Sequence, residues 1–129
     1  MLEFSSSFKS FSKEIIPKLK EEAELVKRYH ALIASAAIPF EGKKYTLSQL
    51  TPFKNDKDDK RRLEAWRAEG RWYKDNQKEL DDIYDRLVHL RDEMGKELYH
   101  KNFIPLGYDR MVRNCYGIKD VEAFRGAVI

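Results

Sequence analysis

The fold is decided by residues 59–98, which read DKRRLEAWRAEGRWYKDNQKELDDIYDRLVHLRDEMGKEL. This stretch contains no proline. Large apolar side chains recur in it every three, four or seven residues: Trp66, Tyr73, Leu80, Ile83, Leu87, Leu90 and Met94. Such spacings bring side chains to one face of an α-helix, while the charged residues between them keep the other face in water. The pattern predicts a long helix with an apolar stripe, here called the 66–94 seam, against which other segments pack.

The length of this stretch predicts an interruption. One unbroken helix of this length would span ~60 Å, whereas a compact domain of this size is only ~35–40 Å across. Asn76 and Glu79 are spaced as a capping box, the pattern that begins a helix. Gly70 is a second weak point. A break or kink is therefore expected within residues 70–77.

A short β-hairpin is expected near residues 38–47. Glu41-Gly42 is a turn signal between two β-prone segments. Two strands alone are marginally stable in water, so the hairpin must lean on a helix or on sequence that this chain lacks. A turn or short helix should follow from Thr46, before Pro52. Residues 55–59 then offer a cap for the long helical stretch.

The N-terminal region predicts another amphipathic helix. It begins near Pro17, which a first turn tolerates, or earlier in a kinked form with Ser12 as the cap. It should fade by Ala37 because the residue before Pro39 disfavours helical geometry.

The C-terminal region predicts two short helices. The first should start around Pro105, and a loop over residues 114–117 should separate it from a helix capped by Asp120. That last helix is still incomplete at Ile129, which suggests a piece of a longer chain. Together these elements predict a mostly α fold of long antiparallel helices with one small hairpin, and residues 1–129 as a single helical segment.

Composition and charge argue against several classes of function. Charged residues make up 36% of the 129 residues and the net charge is +3, but basic and acidic residues alternate instead of forming a positive patch, which argues against nucleic-acid binding. No apolar run approaches the ~18 residues of a membrane span, and the N-terminus lacks the order of a signal peptide. The single cysteine excludes an internal disulfide and favours a reducing, cytoplasmic location.

Candidate metal and catalytic residues do not form a recognisable motif. His89, Asp92 and Glu93 lie close together on one helix, but a metalloprotease helix would need a second histidine in the order His-Glu-x-x-His. Charged residues at this spacing are common on solvated helix flanks. His30 and His100 have no potential ligand at a useful spacing.

Other reactive groups are equally isolated. The acid pairs at residues 58–59 and 81–82 are adjacent in sequence and so point in different directions on a helix, which suits acid–base catalysis poorly. Cys115 is expected to be a packed thiol and not a nucleophile. Glycine-rich phosphate loops and Gly-x-Ser-x-Gly elbows are absent from the sequence.

The aromatic residues allow two interpretations. Trp66, Trp72, Tyr73 and Tyr84 could stack on nucleobases. Their helical spacing favours a place in the core instead.

Several segments, in order, resemble one known family. They are residues 12–19 (SKEIIPKL), 32–36 (LIASA), 47–53 (LSQLTPF), 62–68, 87–98 (LVHLRDEMGKEL), 99–103 (YHKNF) and 106–116 (LGYDRMVRNCY). This succession resembles the N-terminal segment of oligoendopeptidase F-type enzymes, zinc peptidases of the thimet-oligopeptidase class. The chain departs from the family pattern at Gly95, where alanine is usual, and at Tyr99-His100, where Gly-Tyr is usual. The first departure should weaken the helix by up to ~1 kcal/mol relative to alanine, and the second leaves its end uncertain.

The resemblance implies a larger, mostly helical hydrolase with a deep channel. Enzymes of this class cleave short peptides with a zinc-activated water, and hold the metal with a His-Glu-x-x-His helix and a further glutamate. This chain has no such motif, so no catalytic, cofactor-binding or metal residue is assigned to it. Its expected partner is the remainder of the parent enzyme, whose substrate would be short peptides.

Two hypotheses follow. In the first, the chain is a non-catalytic part of a zinc metalloendopeptidase, forms one wall of the channel, and is inactive alone. In the second, it is an independent helical interaction module that self-associates through the 66–94 seam. A homodimer that covers exposed apolar faces is compatible with both.

Overall fold

The computed structural model describes residues 10–113 and 115–128, and these are mostly helical. In chain order the elements are α1 (Ile16–Ala34), β1 (Ile38–Phe40), β2 (Lys43–Tyr45), α2 (Leu47–Lys54), α3 (Asp59–Asp75), α4 (Gln77–Glu97), α5 (Phe103–Arg110) and α6 (Ile118–Val128). The predicted mostly α fold with one small hairpin is therefore confirmed.

The chain divides into two compact units. Residues Ala23–Leu87 form the first, here called the hairpin unit. The described residues before Ala23 and those from Val88 onward form the second, here called the terminal unit. Helices α1 and α4 each contribute residues to both units.

The long helices α1 and α4 are antiparallel. In the terminal unit, Lys18 pairs with Glu97 and Glu22 pairs with Arg91, so residue numbers rise along α1 as they fall along α4. Within the hairpin unit, the Nε of Arg28 on α1 lies 2.9 Å from a carboxylate oxygen of Glu79 on α4.

The hairpin lies where the sequence places it. Strands β1 and β2 are antiparallel, with Ile38 opposite Tyr45. Glu41 and Gly42 join them with φ angles of 47° and 76°. Positive φ at both central residues is the geometry that matches the twist of a two-residue hairpin, so the Glu-Gly signal is confirmed.

The hairpin leans on α2 and α3, as its small size requires. Alternation along β1 turns Ile38 and Phe40 inward and Pro39 outward. The inward residues pack with Leu50 of α2 and with two small side chains of α3. Half-buried residues complete this cluster: Tyr45, Leu47, Phe53 and Trp72.

Helix α3 buries a different face from the one its large residues predict. Ala65 and Ala68 are its buried residues, whereas Trp66 and Tyr73 are 55% and 41% exposed. Small side chains allow α3 to approach the hairpin closely. Trp66, the residue after Ala65, lies outside this contact. The 66–94 seam and the core assignment of Trp66 and Tyr73 are therefore wrong on α3.

Trp66 nevertheless has a specific environment. Its indole N–H donates to the backbone carbonyl of Lys54 at 3.2 Å. The Lys54 ammonium lies 4.7 Å from the centre of the Trp66 ring and forms an ion pair with Glu69 whose side chains are mostly buried. Trp66 thus covers a lysine at the junction of α2 and α3 instead of filling the core.

The expected interruption of the long stretch is confirmed at Asn76. Helix α3 ends at Asp75 and α4 begins at Gln77. The side-chain amide nitrogen of Asn76 donates to the carbonyl of Trp72 at 2.8 Å, so this side chain closes α3. Gly70 lies in an unbroken part of α3.

On α4 the predicted seam is correct. Ile83, Leu90 and Met94 are at most 2% exposed, and Leu80 and Leu87 are half-buried. Spacings of three and four therefore identify the buried face where the large residues are aliphatic.

The other helix starts are mostly close to expectation. Helix α1 begins at Ile16 with Pro17 in its first turn, and Ser12 is not its cap, because it lies four residues before the helix. Thr46 and Gln49 form a capping box for α2 that the sequence analysis missed, and α2 continues past Pro52. Asp58 caps α3.

The helices of the terminal unit begin slightly earlier than predicted. Helix α5 starts at Phe103, where the Asn102 side chain accepts the Ile104 N–H at 3.0 Å. Helix α6 starts at Ile118, so Asp120 lies in its first turn and is not its cap. The Asp120 carboxylate instead accepts the Gly117 N–H at 2.7 Å.

Gly95 allows close packing of the backbone, a role that its low helix propensity does not reveal. A Cβ at this position would lie 2.6 Å from the carbonyl oxygen of Asn102 and 2.9 Å from the Phe103 nitrogen. No real Cβ contact is that short. The glycine of α4 therefore permits the chain to fold back closely before α5.

The end of α4 is also resolved. The His100 N–H donates to the Gly95 carbonyl and the Tyr99 N–H to the Lys96 carbonyl, at 2.9 and 3.0 Å. These two bonds form a Schellman motif, whose turning residue adopts a left-handed conformation. That residue is Tyr99, with φ of 63°, at a position that glycine would occupy without strain.

Candidate functional site

The candidate metal residues are not brought together. In the described parts of the chain, no group of three or more His, Cys, Asp or Glu side chains could hold a metal ion. Glu93 pairs with Lys18 at 3.2 Å, and Asp92 pairs with Lys96. Hydrogen bonds to Glu93 and Glu97 raise the pKa of Lys18. The carboxylates near His89 thus serve ion pairs.

The adjacent acid pairs serve helix ends and ion pairs as well. The Asp58 carboxylate accepts the Lys60 N–H at 2.9 Å, at the start of α3, and Asp59 pairs with Arg62 at 2.6 Å. On α4, Asp82 pairs with Lys78 at 2.6 Å. None of these contacts places two carboxylates around a common point.

Cys115 contradicts its prediction. Its thiol is exposed, so the packed-thiol interpretation is wrong. The residue lies between α5 and α6, where the described side chains from Arg110 to Tyr116 are exposed. This segment offers no apolar environment that would enclose a thiol.

A buried carboxylate joins three elements of the terminal unit. Glu22 of α1 is 5% exposed. Its carboxylate accepts a hydrogen bond from Arg91 of α4 at 2.7 Å and two from Arg110 of α5, at 2.9 and 3.2 Å. Burial alone would raise the pKa of Glu22, but the hydrogen bonds from Arg110 and Arg91 outweigh it, so the pKa lies below its usual value.

Sequence reasoning missed this cluster, and no local signal could have revealed it. The three residues are 69 and 88 positions apart, so neither helical nor strand spacing connects them. All oxygens of the carboxylate are engaged by guanidinium groups, which suits a structural tie better than a proton-transfer role.

An apolar groove occurs in the hairpin unit. It encloses about 400 Å³ between α1 and α4, and its lining residues are Tyr29, Leu80, Asp81, Ile83, Tyr84 and Leu87. Tyr84 is 72% exposed, so its predicted place in the core is wrong. Two tyrosines, three aliphatic side chains and one carboxylate line the groove, a composition suited to receiving an apolar side chain.

A second apolar surface lies on α6. None of the residues of this helix is buried, and Phe124 and Val128 are 70% and 71% exposed. Taken together, the described residues present surfaces that can bind, and no combination of nucleophile, base and metal ligands. None of the described helices is both long and apolar enough to cross a membrane.

Comparison with known proteins gives a consistent result. No protein-family model matches the chain, and no curated protein sequence matches it either. Solved structures do match. A protein of Bacillus anthracis str. Ames assigned as an oligoendopeptidase F is 39% identical with a TM-score of 0.94. Another protein assigned as an oligoendopeptidase F is 38% identical, and PZ peptidase A with inhibitor 2 is 36% identical, both with TM-scores of 0.94.

Coverage is very unequal in these matches. Each covers 98% of this chain, but only 22–23% of the neighbouring chain. The chain therefore spans less than a quarter of the length of these proteins. The resemblance to oligoendopeptidase F-type proteins that the sequence indicates is confirmed, and the coverage is consistent with the N-terminal segment expected from it.

Proposed function

We propose, from the structure that this chain shares with oligoendopeptidase F-type proteins, that it is a non-catalytic segment of a zinc metalloendopeptidase. The whole enzyme would hydrolyse short peptides in the cytoplasm, and residues 1–129 would form one segment of it. The observation that supports this proposal is the match to almost the entire chain at a TM-score of 0.94. A chance similarity of helical pairs would not extend across the hairpin and all of the connecting turns.

Zinc has no fitting site in the described residues. The histidines lie apart in sequence, at positions 30, 89 and 100, and no cluster of ligand-type side chains forms around them. A zinc peptidase needs three protein ligands and a water in an open position. In this proposal the metal and its base belong to the part of the enzyme that this chain does not cover.

The role proposed for this segment is a wall of the substrate channel. Helices α3 and α4 each have one buried face and one charged face, as expected of a rigid partition between a packed interior and water. Such a wall would exclude large folded substrates by size. The expected partner is the rest of the enzyme.

The alternative is an independent helical module that self-associates through the 66–94 seam. The observation that favours it is the apolar groove beside Tyr29, because Leu80, Ile83 and Leu87 of the seam line it and another copy could enter it with an apolar side chain. Light scattering across a range of concentrations distinguishes the two proposals, because self-association raises the apparent mass with concentration.

The decisive experiment combines two samples. In the first, the chain alone is titrated with zinc by calorimetry and assayed with a fluorogenic peptide; we expect neither stoichiometric zinc nor turnover. In the second, the chain replaces the matched segment of the Bacillus anthracis protein, and we expect peptide turnover. Turnover by the chain alone, or a folded chimera without turnover, would contradict the proposal.

A further inference from the structure

The apolar groove of the hairpin unit is large enough for a small ligand. Its volume is about 400 Å³, within the range of ~300–1,000 Å³ that is usual for small-molecule sites. Of its lining residues, Ile83 is 2% exposed, whereas Tyr29 and Tyr84 are 42% and 72% exposed. The two rings leave apolar surface in water beside a buried aliphatic side chain, and an apolar ligand group would cover that surface.

One carboxylate also lines this groove. Asp81 lies three residues before Tyr84 on α4, a spacing that brings both residues to one side of the helix. Among the described residues, its hydrogen bond comes from the side-chain amide of Gln77 at 3.4 Å, which is longer than usual for a nitrogen donor. The negative charge of Asp81 is therefore only weakly satisfied within the chain.

The lysines near Asp81 do not form an ion pair with it. Lys74 and Lys78 border a polar surface that Asp81 also lines. Lys78 pairs with Asp82 at 2.6 Å, and no ion pair in the described part of the chain joins Lys74 to Asp81. The Asp81 carboxylate is thus available to a cation that comes from the side of the apolar groove.

The groove is therefore complementary to a ligand that carries an apolar side chain and a cation close together. In the first residue of a peptide, the ammonium group and the side chain are bonded to the same Cα. Burying that side chain brings the charge near Asp81 without ordering any further chain. A lysine or arginine elsewhere in a polypeptide would have to fix a second long side chain, at a cost in rotamer entropy that an exposed ion pair rarely recovers.

A second copy of this chain fits the groove less well than a short peptide does. A stable dimer buries ~800 Å² on each partner, whereas six residues line this groove. A second copy would have to extend the contact onto the charged residues beside the groove, such as Lys78 and Asp82. A ligand of two or three residues needs no contact beyond the groove itself.

We propose that this groove binds the N-terminal residue of a short peptide, with its apolar side chain against Tyr29 and Tyr84 and its ammonium group beside Asp81. This inference rests on the proposed function, in which short peptides are the substrates. It deepens that proposal by assigning to this segment the recognition of a free amino end that carries an apolar side chain.

Amide NMR titrations of the chain with tripeptides test the proposal. Phe-Gly-Gly should shift the amides of residues 80–87 and bind at least ~10-fold more tightly than Gly-Gly-Gly, because burial of the large side chain supplies most of the affinity. N-acetyl-Phe-Gly-Gly lacks the ammonium group and should bind about 2–5-fold more weakly than Phe-Gly-Gly, as expected for the loss of an exposed ion pair. Gly-Gly-Phe has the same composition as Phe-Gly-Gly but separates the ring from the amine, so it should bind at least as weakly as the acetylated peptide.

Two pairs of variants separate the charge from the ring. Asp81→Asn should remove the difference between free and acetylated Phe-Gly-Gly, whereas Asp82→Asn, which changes the neighbouring lysine-paired carboxylate, should preserve it. Tyr84→Ala should weaken the binding of Phe-Gly-Gly by about 3–10-fold. Tyr99→Ala removes a ring that is 99% exposed and lies outside the groove, and should not change binding. Asp81 and Tyr84 are exposed, so their variants should keep the circular dichroism spectrum of the parent chain.

Several outcomes would overturn the inference. They include equal affinities for Phe-Gly-Gly and Gly-Gly-Gly, binding of neither peptide, and the same effect of Asp81→Asn and Asp82→Asn on the preference for the free amine. Tighter binding of Gly-Gly-Phe than of Phe-Gly-Gly would exclude recognition of the amino end. Shifts of residues 80–87 that grow with protein concentration in the absence of peptide would assign the groove to a second copy.

Peptide turnover separates this inference from the proposed function, because binding is measured on the chain alone. If the chain does not bind Phe-Gly-Gly but the Bacillus anthracis chimera described above cleaves peptide, only the inference about the groove is overturned. If the chain binds Phe-Gly-Gly as expected and the folded chimera cleaves no peptide, only the peptidase proposal is overturned.

Discussion

Two regions of the molecule differ in whether their apolar side chains are buried. One is the hairpin with the helices α2 and α3, and the other is the last helix, α6. Around the hairpin, Ile38, Leu50 and Ala65 are completely buried, and they come from three different elements. On α6, Phe124 and Val128 are mostly exposed and no residue is buried. Side-chain hydrogen bonds fix the helix starts in both regions, so local signals at these starts do not account for the difference.

This contrast shows which part of the chain buries its own apolar side chains. The hairpin region closes its own core within one short stretch of sequence. Helix α6 also has an apolar face, but none of its residues is buried.

The largest expected effect is at Leu50. Leu50→Ala should destabilise the chain by about 2–5 kcal/mol, because it removes a fully buried side chain and leaves a cavity. Phe124→Ala should change stability by less than about 0.5 kcal/mol in the isolated chain, because exposed positions tolerate substitution. Urea unfolding followed by circular dichroism measures both. Similar losses for the two variants would remove the contrast between the regions.

The next effect concerns two helical glycines. Gly95→Ala should destabilise by about 1–3 kcal/mol, because the added methyl group would overlap the backbone of Asn102. Gly70→Ala is the matched control: nothing lies within 4 Å of its Cβ position, so it should stabilise by about 0.5–1 kcal/mol through helix propensity. The midpoint of thermal unfolding should fall for Gly95→Ala and rise for Gly70→Ala. Stabilisation by Gly95→Ala would show that the close approach to Asn102 is not maintained.

Glu22 should make stability depend on pH. Because its pKa is lowered in the folded chain, its ionised form stabilises the fold above the unfolded pKa of roughly 4.3, and this stabilisation is lost as the pH falls through the lowered value. Glu22→Gln should cost about 1–2 kcal/mol at neutral pH, since the partner arginines are partly solvated. Urea unfolding from neutral to acid pH should show a smaller decline for this variant.

A suitable control for Glu22 is Glu24→Gln, since the Glu24 side chain is 73% exposed. The Glu24→Gln variant should lose stability on acidification as much as the parent chain does. If Glu22→Gln and the parent chain lose stability in parallel on acidification, the carboxylate does not tie α1 to the two arginines.

The smallest effect is expected at Tyr99. Tyr99→Gly should stabilise by about 0.5–1 kcal/mol, because glycine adopts the left-handed conformation at the end of α4 without steric cost. The Tyr99 side chain is 99% exposed, so little packing is lost. A Tyr99→Ala variant, which keeps the Cβ, should show no comparable gain. Equal gains would mean that the ring and not the backbone conformation is unfavourable.

The sequence predicts local features well and long-range contacts poorly. The Glu41-Gly42 turn, the break at Asn76 and the α4 seam follow from backbone preference and helical spacing. The buried face of α3 does not follow from these signals, because Ala65 and Ala68 are buried by the close approach of the hairpin. A prediction based on the size of apolar side chains therefore selected Trp66, which lies on a different face of the helix.

The candidate sites show the same limit. The sequence could show that a His-Glu-x-x-His motif is missing, since a motif is local. It could not show that Glu22 would meet Arg91 and Arg110, because their contact depends on the packing of three helices. Nor could it show that Cys115 is exposed, since that depends on which elements pack around the segment.

Native-state hydrogen exchange of the isolated chain at low concentration tests the central claim most directly. The amides of α2 and α3 that pack on the hairpin should open with nearly the full free energy of unfolding, whereas those of α6 should exchange with little protection. Equal, concentration-independent protection of α6 and the hairpin core would contradict the account, because the chain would then complete its own packing.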